Sequence, residues 1–230
     1  MFPYFEERRS DSPFVERIWM TQSERATSFT SISTILWSMV ISKWRGHITI
    51  SVHGPETSAT CKEFPAEGEW FGIAFKLGTF VPHISPSSLI DGNIVLPGTS
   101  GRSFSLCHST WQFPNYENAD TFVDQLVRSG ILVHDPVMSA IHTGQSPALS
   151  LRMVQYRFLR STGLSQRTIR QIERARYATS LLKQSMSIFD TVCEAGYSDQ
   201  AHLTRSLKHF IGHTPAEIPT TPIIALHDSA

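Results

Sequence analysis

Along the first half of the chain, apolar positions return at every second residue in short runs. Trp37, Met39 and Ile41 alternate with Ser38, Val40 and Ser42, while Ile48, Ile50 and Val52 share one face with Thr49 and Ser51 between them. Residues 70–78 repeat the alternation, and residues 89–97 and 104–111 carry it more weakly. Gly54-Pro55-Glu56-Thr57 marks a turn, and residues 80–88 form a Pro- and Ser-rich loop. Short strands punctuated by Gly and Pro predict an all-β sandwich or barrel.

Beyond residue 118 the period changes to that of a helix. Phe122, Leu126 and Val127 lie on one side of residues 119–128, with Asp120 as the expected N-cap and Gly130 as the stop. Asp135-Pro136 opens a further turn bearing Val137, Met138 and Ile141, and residues 145–148 connect it to the next helix. There Leu151, Val154 and Phe158 are expected to face inward, leaving Arg152, Gln155 and Tyr156 outward. Gly163-Leu164-Ser165 ends that helix. Residues 166–183 then form a long amphipathic one, packing through Ile169, Ile172, Ala175, Leu181 and Leu182. Two short helices follow, divided by Gly196 in a left-handed conformation. Ile188, Val192 and Ala195 supply the apolar side of the first. Tyr197 plugs the angle, Ser198 is the expected N-cap of the second helix, and Asp199 lies in its first turn. Leu203, Leu207 and Phe210 form its buried stripe, opposite Ala201, Thr204, Arg205 and Lys208 with Gln200 at the edge. A face of that composition suits the DNA major groove, where Arg and Gln make paired bonds to base edges.

Charge sharpens the picture. The formal net charge is zero, yet residues 134–218 hold ten basic against six acidic side chains, about +4. Residues 1–133 hold ten against thirteen, about −3. Such asymmetry is expected when one domain alone approaches phosphate. Cys61, Cys107 and Cys193 are widely spaced and suit a reducing compartment. No apolar run is long enough for a membrane span, and no basic region followed by a long apolar run opens the chain, so a cytoplasmic protein is expected. His47, His53, His83 and His108 lack a His-x-His pair, and no metal or cofactor is expected. The Trp residues are expected in the core, and an enzyme is disfavoured because no metal-ligand set, phosphate-cradling loop or nucleophile turn occurs.

Ala195-Gly196-Tyr197-Ser198-Asp199-Gln200-Ala201-His202-Leu203-Thr204-Arg205, followed by Lys208, Phe210, Gly212, Thr214 and Pro215, resembles the C-terminal signature of AraC/XylS-type transcription regulators. The likeness extends over residues 149–218, since the segment from Ser150 to Phe158 resembles the family's first recognition helix, which opens with a capping Ser. It implies two helix-turn-helix units joined by a linker helix, preceded by a β-rich sensor or dimerisation domain that is often cupin-like. Ser12 to Trp19 and Gly54 to Thr57 resemble one branch of such sensors more loosely. Four features depart from the family pattern: the longer connector of residues 142–149, a preceding helix around Pro136 to Thr143 without the usual leucine-alanine pattern, Tyr156 where Arg is common, and Ala201 where a polar residue is common.

The expected fold is therefore α+β. An N-terminal all-β sensor domain, a cupin-like sandwich or barrel, spans residues 1–133. An all-α DNA-binding domain spans 134–218, and a C-terminal tail 219–230. The resemblance implies DNA contacts from Arg152, Gln155, Tyr156 and Arg157 of the first unit and from Ser198, Gln200, Ala201, Thr204, Arg205 and Lys208 of the second. Arg157 has an alternative structural role, paired with Glu173 or the linker helix. The expected partner is double-stranded DNA; RNA polymerase, a small-molecule effector and a second copy of the chain are further partners compatible with the family. An N-terminal domain that only dimerises or binds a partner, without an effector, is the alternative.

Overall fold

A computed structural model describes residues 4–142, 144–145 and 149–218 of the chain. Its strands are β1 (Tyr4–Arg9), β2 (Val15–Ser23), β3 (Thr27–Ser31), β4 (Ser38–Trp44), β5 (His47–His53), β6 (Thr60–Phe64) and β7 (Gly68–Phe75). Then come β8 (Thr79–Phe80), a 3-10 turn at Pro86–Ser88, β9 (Asn93–Val95), β10 (Gly98–Ser100), β11 (Ser103–Leu106) and β12 (Ser109–Gln112). Helix α1 (Ala119–Arg128) and the short strand β13 (Val133–His134) lead into α2 (Pro136–His142), α3 (Leu151–Thr162), α4 (Gln166–Lys183), α5 (Ile188–Glu194) and α6 (Gln200–Phe210).

A six-stranded antiparallel sheet in the order β1-β2-β7-β4-β5-β9 is the centre of the N-terminal half, with β1 and β9 at its edges. Both of its faces are covered, which makes it one layer of a sandwich. On one side Ile18, Met39, Ile41, Ile50, Ile73 and Phe75 pack with Phe104 and Leu106 of β11 and with Phe122 and Leu126 of α1. On the other, Trp19 and Val40 pack under Phe29 and Phe64, which come from the β3–β6 pair and stack with ring centres 4.7 Å apart. Trp19 lies so close over β7 that a Cβ on Gly72 would stand 2.1 Å from its ring, so only glycine fits there.

Several local expectations are corrected. The weak candidate at residues 104–111 is a hairpin, β11–β12, turned by Cys107 and His108 at φ of 50° and 62°. Only Asn93–Val95 of the candidate at 89–97 is strand, and β1, β2, β3 and β6 lie where no strand was expected. Asn118, not Asp120, stands at the N-cap of α1; Asp120 instead pairs with Arg8 at 2.8 Å. Trp44 lies outside the core, 40% exposed at a hairpin tip with Arg45 stacked over it.

The helical half shares its core with the sheet half. Phe158, Ile172, Ala175, Leu182, Leu203 and Leu207 cluster with Ile32, Ile35, Leu36 and Leu77 from the β-rich part. Ser139 of α2 donates to the Leu77 carbonyl, and Arg176 of α4 donates to that of Ser33. No described helix is long and apolar enough to cross a membrane.

Among the described residues no group of His, Cys, Asp and Glu could hold a metal ion. His53, at the end of β5, contacts Ser51 Oγ at 2.8 Å, and burial, helped by the nearby Lys62 charge, pushes its pKa down to about 4. The unfolded chain takes up this proton near 6.5, whereas the folded protein does so only near 4, so the unfolded state binds more protons between these values. Stability should therefore fall as pH drops through that window. Urea unfolding at a series of pH values should show this slope in the native chain and a shallower one in His53→Gln.

Candidate nucleic-acid interface

The second helical pair forms from local signals. Ser187 Oγ accepts from Asp190 N at 3.1 Å and donates to its carboxylate at 2.6 Å, closing the N-terminus of α5. Its C-terminus unwinds through Gly196 at φ 67°, where Gly196 N donates to Cys193 O and Tyr197 N to Val192 O. Tyr197 is buried between the two helices, with its hydroxyl 2.9 Å from Ser206 Oγ. The Arg174 guanidinium lies 4.4 Å over the Tyr197 ring and donates to the Gly196 carbonyl at 3.4 Å, so α4 clasps the turn.

The cap of α6 differs from the sequence expectation. Asp199 is the N-cap, accepting from His202 N at 2.7 Å, and the helix starts at Gln200. Ser198 sits one residue too early and instead donates to the Asp199 carboxylate at 3.1 Å. The His202 backbone bond, then the Ser198 bond, hold the Asp199 carboxyl below the usual carboxylate range. The cap thus keeps its charge at the positive end of the helix.

Leu203, Leu207 and Phe210 are buried, as their spacing predicts, while Gln200, Ala201, Arg205 and Lys208 are exposed on the other side. Thr204 is half-buried and spends its hydroxyl on the Gln200 carbonyl at 2.8 Å. The last turn of α6 carries contacts that sequence reasoning missed. Ser33 N donates to the Phe210 carbonyl and Ala59 N to that of His209, each at 2.8 Å. Carbonyls orphaned at the end of the helix are thus satisfied by backbone of the β-rich half. Gly212, at φ 83°, lies against Thr30, where a Cβ would meet the Thr30 methyl at 2.6 Å. These partners lie more than a hundred residues away in sequence, and no local signal announces them.

In the first pair, Ser150 caps α3 by accepting from Met153 N at 3.3 Å, and Gly163 ends it at φ 74°. Val154 and Phe158 are buried, but Leu151 is 80% exposed rather than inward. It lies in the first turn, one turn before Val154 and two before Phe158, where the helix has run past the core. Arg152, Gln155 and Tyr156 are exposed, with Leu159 beside them at i, i+3, i+4 and i+7. Arg157 is half-buried, and its Nη1 contacts both oxygens of Asp135, at 2.7 and 2.8 Å. Its partner is therefore Asp135, not Glu173. Helix α3 rests on the Pro86–Ser88 turn and on β8, whereas α5 and α6 rest on α4.

Because Asp199 and not Ser198 accepts the amide bond, Asp199→Ala should lower the midpoint of thermal unfolding, with Ser198→Ala having the smaller effect. The depressed carboxyl contributes stability above its unfolded pKa and loses it as pH falls through the folded one, so the two variants should converge in strong acid. Melting curves followed by circular dichroism at neutral and acid pH read both effects.

Residues 145–219 match a family model described as a helix-turn-helix domain. Among solved structures, ToxT from Vibrio cholerae is similar at 12% identity and a TM-score of 0.40, over 94% of this chain and 99% of that one. No curated protein matches the chain. Residues 145–219 thus match a helix-turn-helix domain, and the resemblance to AraC-type regulators read from the sequence falls within the same segment.

Proposed function

We propose that the chain is a sequence-specific regulator that sets α3 and α6 in successive major grooves on one side of the duplex. The carrying observation is the outer face of α6, where Gln200, Ala201, Arg205 and Lys208 stand exposed over a buried Leu203, Leu207 and Phe210. Arg205 and Gln200 are the base readers of this helix, since both can make paired bonds to base edges. Lys208 suits a phosphate. Thr204 offers mainly its methyl group, because its hydroxyl is already engaged. Ser198 acts through the Asp199 cap, and Ala201 leaves room for close approach to the bases. In α3, Arg152, Gln155 and Tyr156 read or hold the neighbouring groove, while Arg157 supports α3 through Asp135. Grooves on one side repeat about every 34 Å, and α4 is stiff, so the DNA bends to meet both helices at a cost of a few kcal/mol. The division of labour follows the expected boundary near Val133, with residues 134–218 binding DNA. Arg205→Ala should cost roughly 1–3 kcal/mol and relax preference at one base position. Binding-site selection with the native chain and this variant checks it, and an unchanged motif and affinity would remove Arg205 from the role.

The β-rich half contains a cavity of about 320 Å³ against the sheet face, lined by Met20, Ile41, Ile48, Phe71, Phe113 and Tyr116, with Lys43 and Glu69 also in its wall. Its size and apolar lining suit a small apolar or aromatic effector. A second reading is favoured by the edge strand β9, where Val95 is 60% exposed and Ile94 lies beside it in the open. Such an edge pairs readily with a second copy of the chain. A thermal-shift screen of small aromatic and aliphatic compounds separates the two readings. Hits that raise the midpoint of the native chain, and not that of Phe71→Asp, support the effector. A blank screen joined to a dimer in analytical ultracentrifugation supports the dimerising domain.

A further inference from the structure

Arg167, Arg170 and Arg174 occupy positions i, i+3 and i+7 of α4, so they lie along one side of that helix. The three differ in what they do. Arg174 is engaged with the Tyr197 ring and the Gly196 carbonyl. Arg167 and Arg170 are exposed, and among the described residues neither has an ion-pair or hydrogen-bond partner. All three help to wall an open groove of about 940 Å³, closed on one side by Gln155 and Leu159 of α3 and on another by His202 of α6. No acidic residue lines the groove, and every lining residue falls between 155 and 202, so its wall comes from the helical half alone.

The groove therefore runs between the two recognition helices. When two helices occupy successive major grooves on one side of B-form DNA, the minor groove between them faces the protein. That groove is about 6 Å wide, and its rims are two rows of phosphates. Helix α4 rises about 1.5 Å per residue, so the guanidinium groups of Arg167 and Arg170 emerge close together and reach outward on flexible stems. We propose that Arg167 and Arg170 of the linker helix grip the phosphate rims of the minor groove lying between the two major-groove sites. This rests on the DNA-reading role assigned to α3 and α6, and adds a third site of contact that reads no base directly.

The arrangement makes the middle of the operator matter through its shape. A/T-rich segments have a narrow minor groove with enhanced negative potential, which attracts arginine. Affinity should then depend on the composition of central base pairs that no side chain touches at their edges.

The test uses the full chain and the duplex obtained by selection, with affinities from fluorescence anisotropy at several KCl concentrations. Each phosphate neutralised contributes about 0.9 to the slope of log affinity against log salt. Arg167→Gln/Arg170→Gln should lower that slope by about 1.8, whereas Arg167→Lys/Arg170→Lys should keep it, because lysine still holds phosphate as a point charge. Lys183→Gln, at the far end of α4 and outside the groove, should leave it unchanged. Replacing central A/T pairs by G/C should weaken the native chain several-fold and the double Gln variant far less. Thermal melting confirms that these exposed substitutions leave the fold intact. An unchanged slope, or equal sensitivity to the central pairs in the native and double Gln chains, overturns the minor-groove contact while the major-groove reading stands. A native chain that selects no duplex overturns both.

Discussion

Helix α6 can turn Arg205 outward only because its other side is held from two directions. Leu203 and Leu207 are fully buried in a core shared with Ile172, Ala175 and Leu182 of α4, which fixes the rotation of the helix. The bonds from Ser33 N and Ala59 N to its last carbonyls fix its far end against the β-rich half. Hydrophobic burial is non-directional and would tolerate some sliding along α4; backbone hydrogen bonds do not. Together they leave one orientation for the polar face.

The same logic separates the supports of α3 and α6. Helix α6 stands on α4, whereas α3 stands on the Pro86–Ser88 turn and β8, with Arg157 tied to Asp135 at its side. Gly163, where α3 ends, lies so near Pro86 that a Cβ would be 3.0 Å from its backbone. The distance between the two helices is thus transmitted through the β-rich half as well as along α4. A shift of the segment from Ile32 to Leu36 would be felt at the end of α6, because cores at native density pass on small displacements. Charge follows the same division. The outward faces of α3, α4 and α6 carry Arg152, Arg167, Arg170, Arg205 and Lys208, while Lys62 and Arg17 near the sheet are neutralised by Glu56 and Glu7.

Legibility varied with the range of the interaction that decided each element. Helix α4 was readable to the residue, because Ser165 caps it and its apolar positions repeat over eighteen residues. Gly163 and Gly196 were readable for a related reason, since both take the left-handed conformation that ends a helix. The strands from Tyr4 to Ser31 were not. Strand β2 lies inside a sheet covered on both sides, so Ile18 and Trp19 are both core and no simple alternation appears, while β1 is an exposed edge strand with no apolar stripe. The cap of α6 falls one residue beyond Ser198, because Ser198 and Asp199 are both good caps and only the backbone conformation at Asp199, φ −165°, selects it. Leu151 departs from its helical pattern because periodicity does not tell where along a helix the core stops.

By itself, the sequence determined the helical pairs and the division of α6 into an apolar stripe and a polar face. These depend on spacing, caps and glycines within a few positions of one another. Only the tertiary structure decided what holds α6 at its end, that Arg157 belongs to Asp135, and that Arg167 and Arg170 line a groove between α3 and α6. Each of those is set by groups distant in sequence or by the space between separate elements, and neither leaves a periodic trace along the chain.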